Sequence, residues 1–141
     1  RVPECGAEYL GRISGPLMDR FDLRVEVPPV AVADLGQPRS GETSSTIAER
    51  VARARATQRA RFTGLDAISV NADAEGDLLE AIAGMTDAAA TLLTGVAERF
   101  RLSARAYHRV LRVARTIADL EGADTVEKPH VAEAASYRLA L

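Results

Sequence analysis

The sequence is poor in nearly everything that staples a small domain. It holds one cysteine, Cys5, in 141 residues, which excludes an internal disulfide, and a lone thiol without a ligand cluster gives no zinc site. A reducing compartment is the expectation. Aromatic residues make up 4% of the chain and tryptophan is absent, while alanine and leucine supply the bulk of the 47% hydrophobic content. That balance favours packed helices over a β-sandwich. No apolar run approaches the roughly 18 residues of a membrane span, and no charged and then apolar leader opens the chain. The expected protein is soluble and cytoplasmic, with no membrane partner. Neither sign of charge dominates: 18 basic and 20 acidic residues leave a net charge of −2, so whole-molecule charge calls for no polyanion. Also missing are a GxxxxGK[ST] phosphate loop, a GxSxG elbow and an HExxH pair. A free-standing catalytic centre is therefore not expected, and His108 and His130, on different elements without carboxylate or thiol companions at ligand spacing, predict no metal site.

The length fits one domain, or one small domain with part of a second. At this size about 68–70% of the unfolded surface can be buried, so a core needs no cross-links. The first residue is Arg1 rather than methionine, and the chain reads as a piece of something longer. Gly15-Pro16 forces a break that can open a short helical turn. Leu23, Val25 and Val27 then alternate with Arg24 and Glu26, the period-two pattern of a strand with one buried face, and Pro28-Pro29 ends it. Residues 30–41, with Gly36, Pro38, Ser40 and Gly41, read as a linker. A single strand leaves unpaired backbone groups on both edges, and nothing downstream looks like its partner. Residues 1–40 are thus expected to be the end of a sheet-containing domain, and residues 41–141 a helical one.

Thr46-Ile47-Ala48-Glu49 has the form of a capping box and predicts a helix start. Ile47, Val51, Ala54, Gln58 and Phe62 define one face of that helix, and Gly64 ends the pattern. Residues 65–76 read as a loop. Shorter helices are expected over 77–83 and 86–100, the second carried by Ala89, Leu92, Leu93, Val96 and Phe100. The strongest pattern spans residues 103–121. Ser103 is placed to cap it, Leu102 and Tyr107 to staple it, and Gly122 to close it. Its stripe is Tyr107, Val110, Leu111, Ala114, Ile117 and Ala118. Pro129 then opens a last helix bearing Val131, Ala134, Ala135 and Leu139.

Arginine usage is the unusual feature: 17 arginines stand against one lysine, Lys128. A genome-level preference for arginine and alanine codons accounts for most of them. Two acid-free clusters nonetheless stand out, Arg50, Arg53, Arg55, Arg59 and Arg61 on one helix, and the six arginines between Arg99 and Arg115. Guanidinium forks match phosphates bidentately, so the first cluster is a candidate nucleic-acid face; solvated pairing with carboxylates is the competing reading. Arg20 lies between Asp19 and Asp22, which can neutralise it. Arg105 sits in the first turn of the strongest helix, where the dipole disfavours a cation by about 0.3–1 kcal/mol. A cation there points to an anionic partner.

The runs Tyr9-Leu10-Gly11-Arg12-Ile13-Ser14-Gly15-Pro16-Leu17-Met18-Asp19-Arg20-Phe21-Asp22-Leu23 and Leu102-Ser103-Ala104-Arg105-Ala106-Tyr107-His108-Arg109-Val110-Leu111-Arg112, with Val25-Glu26-Val27-Pro28 and Gly41-Glu42 between them, resemble the C-terminal part of the magnesium-chelatase-like AAA+ ATPases of the ComM/YifB type. The resemblance implies a mainly α fold: a helical-bundle lid over residues 41–141, preceded over 1–40 by a short strand-containing remnant of the α/β core. It implies that Arg20 is an arginine finger acting in trans and that Arg105 is the sensor 2 contact to nucleotide. ATP and Mg2+ are then cofactors of the full-length protein, which forms a homo-oligomeric ring and works on DNA, as in branch migration during natural transformation. Walker A and Walker B are missing from this chain, and only Cys5 remains of a cysteine-rich stretch often found before the first run, so the fragment alone is expected to be inactive. The alternatives are a magnesium chelatase subunit, driving Mg2+ into a porphyrin, and a non-enzymatic helical DNA-binding or adaptor domain.

Overall fold

A computed structural model of the chain describes Ser14, Leu17, residues 20–36 and residues 41–139. Cys5, the Gly15-Pro16 break and residues 37–40 of the expected linker lie outside the described residues. The described part is mainly α-helical: α1, Ser44–Arg61; α2, Gly76–Ala83; α3, Asp87–Arg99; α4, Ala104–Glu121; and α5, Lys128–Leu139. Single 3-10 turns occur at Val32–Asp34 and Asn71–Asp73.

Helix α4 is the axis of the bundle, with α1, α2 and α5 packed around it and α3 closing against α5. Its limits are those the sequence predicts. Ser103 accepts a hydrogen bond from the Ala106 amide at 3.2 Å, and Gly122 adopts a left-handed conformation with φ 77°, a position that glycine fills without a Cβ penalty. Val110, Leu111, Ala114, Ile117 and Ala118 are buried, and Tyr107 is partly so. They meet Leu79 and Ala83 from α2, Ala89 and Leu93 from α3, and Val131, Ala134 and Ala135 from α5. Each fully buried leucine contributes about 1.5–3 kcal/mol relative to exposure.

Three expectations are corrected. Helix α1 begins earlier than the Thr46-to-Glu49 box, because Thr43 is the cap and accepts from the Thr46 amide at 3.2 Å; in a Ser/Thr run several hydroxyls compete for that role. Only the C-terminal half of its predicted face is buried, through Ala54, Gln58 and Phe62, while Ile47 and Val51 are exposed. Residues 23–27 form no strand: among the described residues no β-ladder exists, and the sole bridge is an isolated parallel pairing of Met85 with Val126. Leu23, Val25 and Val27 are 52%, 67% and 83% exposed, so the alternation buries no face here. The segment instead rests against the bundle, with the Arg24 amide donating to the Tyr137 carbonyl at 2.9 Å.

Candidate functional site

Helix α4 carries four arginines, Arg105, Arg109, Arg112 and Arg115, at spacings of four, three and three residues, which place neighbours on adjoining turns of one side. Their surroundings change steadily along the helix. Arg115 is 1% exposed. It donates to Asp119 Oδ1 through Nε at 3.1 Å and Nη2 at 2.9 Å, and to the carbonyls of Asp124 and Ala123 at 2.8 and 2.6 Å. Arg112 donates to the Ala74 carbonyl at 2.9 Å and reaches Glu75 at 3.4 Å. Arg109 uses Nη1 to bind the Arg20 carbonyl at 2.6 Å and the Asp22 carboxylate. Arg105 is exposed, and its side chain makes no ion pair or hydrogen bond with another described residue.

Arg105 lines a polar cleft of about 310 Å³ together with Glu75, Gly76, His108, Arg109 and Arg112. Gly76 is the first residue of α2, whose cap residue Glu75 makes no side-chain capping bond. The cleft therefore combines a helix start without a side-chain cap with three guanidinium groups, of which that of Arg105 has no partner among the described residues. His108 adds a ring nitrogen 3.9 Å from Glu80. Such a set of donors fits phosphate-type oxygens. Among the described residues no group of three or more His, Cys, Asp and Glu side chains is arranged to hold a metal ion, and His130 is engaged instead by the Glu127 amide and Glu121, each at 2.9 Å.

Arg20 is exposed, and its side chain makes no ion pair or hydrogen bond with a described residue. Asp22, read from the sequence as a partner for Arg20, is taken by Arg109 instead. Arg109, one turn from Arg105 on α4, also holds the Arg20 carbonyl. Arg109, Arg112 and His108 were legible only as members of a basic run; their spacing from Arg105 along α4 is the signal that brings them together.

The five arginines of α1 separate into two groups. Arg53, Arg55 and Arg59 are exposed, and their side chains make no ion pair or hydrogen bond with a described residue. Arg50 makes a two-pronged pair with Glu42, both contacts at 3.0 Å. Arg61 turns into the bundle and donates to both oxygens of Asp119, as well as to Asn71 Oδ1 at 2.8 Å. Burial alone pushes the Asp119 carboxyl up. Hydrogen bonds from Arg61 and Asn71, with the charges of Arg115 and Arg61, outweigh that effect and hold it below the ordinary carboxylate range. Arg61 is thereby an internal tie between α1 and α4.

The fold and cleft together define a helical module with an arginine-lined cleft. Residues 41–138 match the family model described as magnesium chelatase, subunit ChlI C-terminal, and residues 1–35 match that of magnesium chelatase, subunit ChlI. The chain is 40% identical to the competence protein ComM of Haemophilus influenzae over 137 residues, 96% of this chain and 26% of the relative. It is 41% identical to YifB of Salmonella typhimurium over 138 residues, 97% of this chain and 26% of the relative, and 40% identical to Rv2897c of Mycobacterium tuberculosis over 132 residues, 92% and 25% respectively. The chain belongs to the magnesium-chelatase-like AAA+ family, in the part covered by the ChlI C-terminal model. It spans about a quarter of the length of the curated relatives it matches.

Proposed function

We propose that this chain is the lid and subunit-interface part of an ATP-driven AAA+ motor, in which residues 1–40 end the α/β core and residues 41–141 form the lid. The two family matches, to residues 1–35 and 41–138, support that division. Arg20 acts as the arginine finger toward a neighbouring subunit in a ring, and Arg105 as the sensor 2 contact. The observation that carries the reading is the state of Arg105: on a helix whose three other arginines are all engaged, its side chain lines an arginine-rich cleft without a partner among the described residues. ATP with Mg2+ supplies the transferable phosphoryl group, and the cleft's donors fit the oxygens of such a group. What this chain's residues contribute is charge: guanidinium groups stabilise the negative charge that builds on phosphoryl oxygens, worth about 10³–10⁵ in rate for a finger. The chain lacks the phosphate loop that grips ATP, so on its own it neither binds ATP tightly nor hydrolyses it.

The partner we assign is DNA, with the work being branch migration in the cytoplasm. Support comes from the exposed Arg53, Arg55 and Arg59 on α1 and from a relative named for competence. In the full-length protein, Arg20→Ala and Arg105→Ala are expected to leave ATP binding measurable and to abolish hydrolysis; an unchanged rate in either removes that residue from the site. A salt titration of DNA binding decides the partner. Loss of Arg53, Arg55 and Arg59 together should lower the slope of log affinity against log salt by roughly two to three. An unaltered slope makes α1 scaffold and leaves magnesium chelation, the activity that the family's description names, as the remaining motor function.

A further inference from the structure

The segment bearing Arg20 is gripped from behind by two helices. Arg109 of α4 donates to the Arg20 carbonyl at 2.6 Å and to the Asp22 carboxylate. Arg138 of α5 donates through Nη1 to the next carbonyl, that of Phe21, at 3.1 Å. The Arg24 amide closes the run on the Tyr137 carbonyl at 2.9 Å. Residues 20–24 are thus fastened at four points, and the fasteners come from the same bundle that carries Arg105. Arg138 is 7% exposed and the Arg109 side chain 17% exposed, against a half-exposed Asp22, and both guanidinium groups make charge-assisted hydrogen bonds, which are stronger than neutral ones. Arg109 also keeps a buried Nε without a hydrogen-bond partner. Its Nη1 meets both the carbonyl and the carboxylate, while Nε finds no partner among the described residues.

We propose that Arg109 and Arg138 are positioning residues that clamp the backbone of the Arg20 segment to the lid, so that Arg20 is presented to the neighbouring subunit from a fixed place on the bundle. This rests on the function proposed above. Arg138 is not among the residues lining the cleft, and Arg109, which lines it, spends its Nη1 on the Arg20 carbonyl and Asp22; each acts by fixing where the Arg20 side chain starts. A displacement of about 1 Å in such a group costs on the order of 10²-fold in rate, less than loss of the finger itself.

The test uses the full-length ATPase. Arg109→Ala is expected to lower kcat about 10²-fold while the KM for ATP stays within about twofold, and Arg109→Lys, which keeps a cationic donor, is expected to restore part of the rate. Hydrogen exchange at amides 20–24 should rise in Arg109→Ala while the amides of α4 stay protected, a change that a merely structural role for Arg109 would spread over the bundle. Should Arg109→Ala fail to fold, Asp22→Ala decides the matter, since Asp22 is half-exposed and outside the core and alanine removes the acceptor that asparagine would keep; an unaltered kcat there overturns the clamp. Arg20→Ala is run in parallel. If it abolishes turnover while Arg109→Ala has wild-type kcat, the clamp is wrong and the motor reading stands. If Arg20→Ala itself turns over normally, the motor reading fails first.

Discussion

Asp119 offers the sharpest test of how the bundle is held. Its carboxylate is completely buried. It accepts from five N–H groups: two from Arg61, two from Arg115 and one from Asn71. Asparagine in its place has the same shape but no charge, and its amide nitrogen would face donors. Arg115, 1% exposed, would keep a buried charge whose remaining partners are two backbone carbonyls. Removing one member of a buried pair costs about 3–5 kcal/mol, most of it the penalty of the stranded partner. For a chain of this size that is a fall in Tm on the order of 10–20 °C, read by helical circular dichroism. The effect also has a pH signature. The folded chain holds the Asp119 carboxyl below its ordinary value, so the unfolded chain binds more protons in that window and stability rises with pH across it. The contribution is complete above about pH 4–5 and fades as pH falls through the folded-state value. The gap between wild type and Asp119→Asn should therefore be widest near neutrality and narrow in acid. A loss below about 1 kcal/mol, well under the cost of stranding a buried partner, or a gap that is flat from pH 7 to pH 3, refutes this account.

Other substitutions test the local rules. Ser103→Ala removes the cap of α4 and should cost about 1 kcal/mol in chemical denaturation; a neutral result would mean that water replaces the hydroxyl. Gly95 lies inside α3 with nothing within 4 Å of where a Cβ would sit, so Gly95→Ala should stabilise by about 0.5–1 kcal/mol. Destabilisation there would reveal a contact that the chain's own packing does not supply. Gly122→Ala meets open space too, but at φ 77°, and should destabilise by roughly 1–2 kcal/mol through backbone strain alone.

Legibility in the sequence followed the range of the interactions. Helix α4 was readable end to end because its cap, stripe and terminating glycine are local. Helix α3 was readable to within a residue for the same reason, the Thr86 hydroxyl accepting from the Ala89 amide at 3.3 Å. What escaped were pairings between distant positions. Arg61 looked like one more basic residue on α1, yet its partner Asp119 stands 58 positions away. Asn71, in a stretch read as loop, is buried and donates to Asp119 across 48 positions. No periodicity encodes such matches. At residues 23–27 the alternation is real but has no neighbouring strand among the described residues to act on. At the site, Arg105 could be picked out by its unfavourable place at a helix start, whereas the role of Arg109 depends on a backbone carbonyl 89 positions earlier.

The pairing of Met85 with Val126 is a small feature with a large reach. The Val126 amide donates to the Gly84 carbonyl at 3.2 Å, and the Val126 carbonyl accepts from the Thr86 amide at 3.0 Å. These two bonds lace the bend between α2 and α3 to the bend between α4 and α5. Neither bend can open without breaking the other, so the four C-terminal helices are expected to melt as one cooperative block, with the solvent-exposed first turns of α1 free to fray well before it.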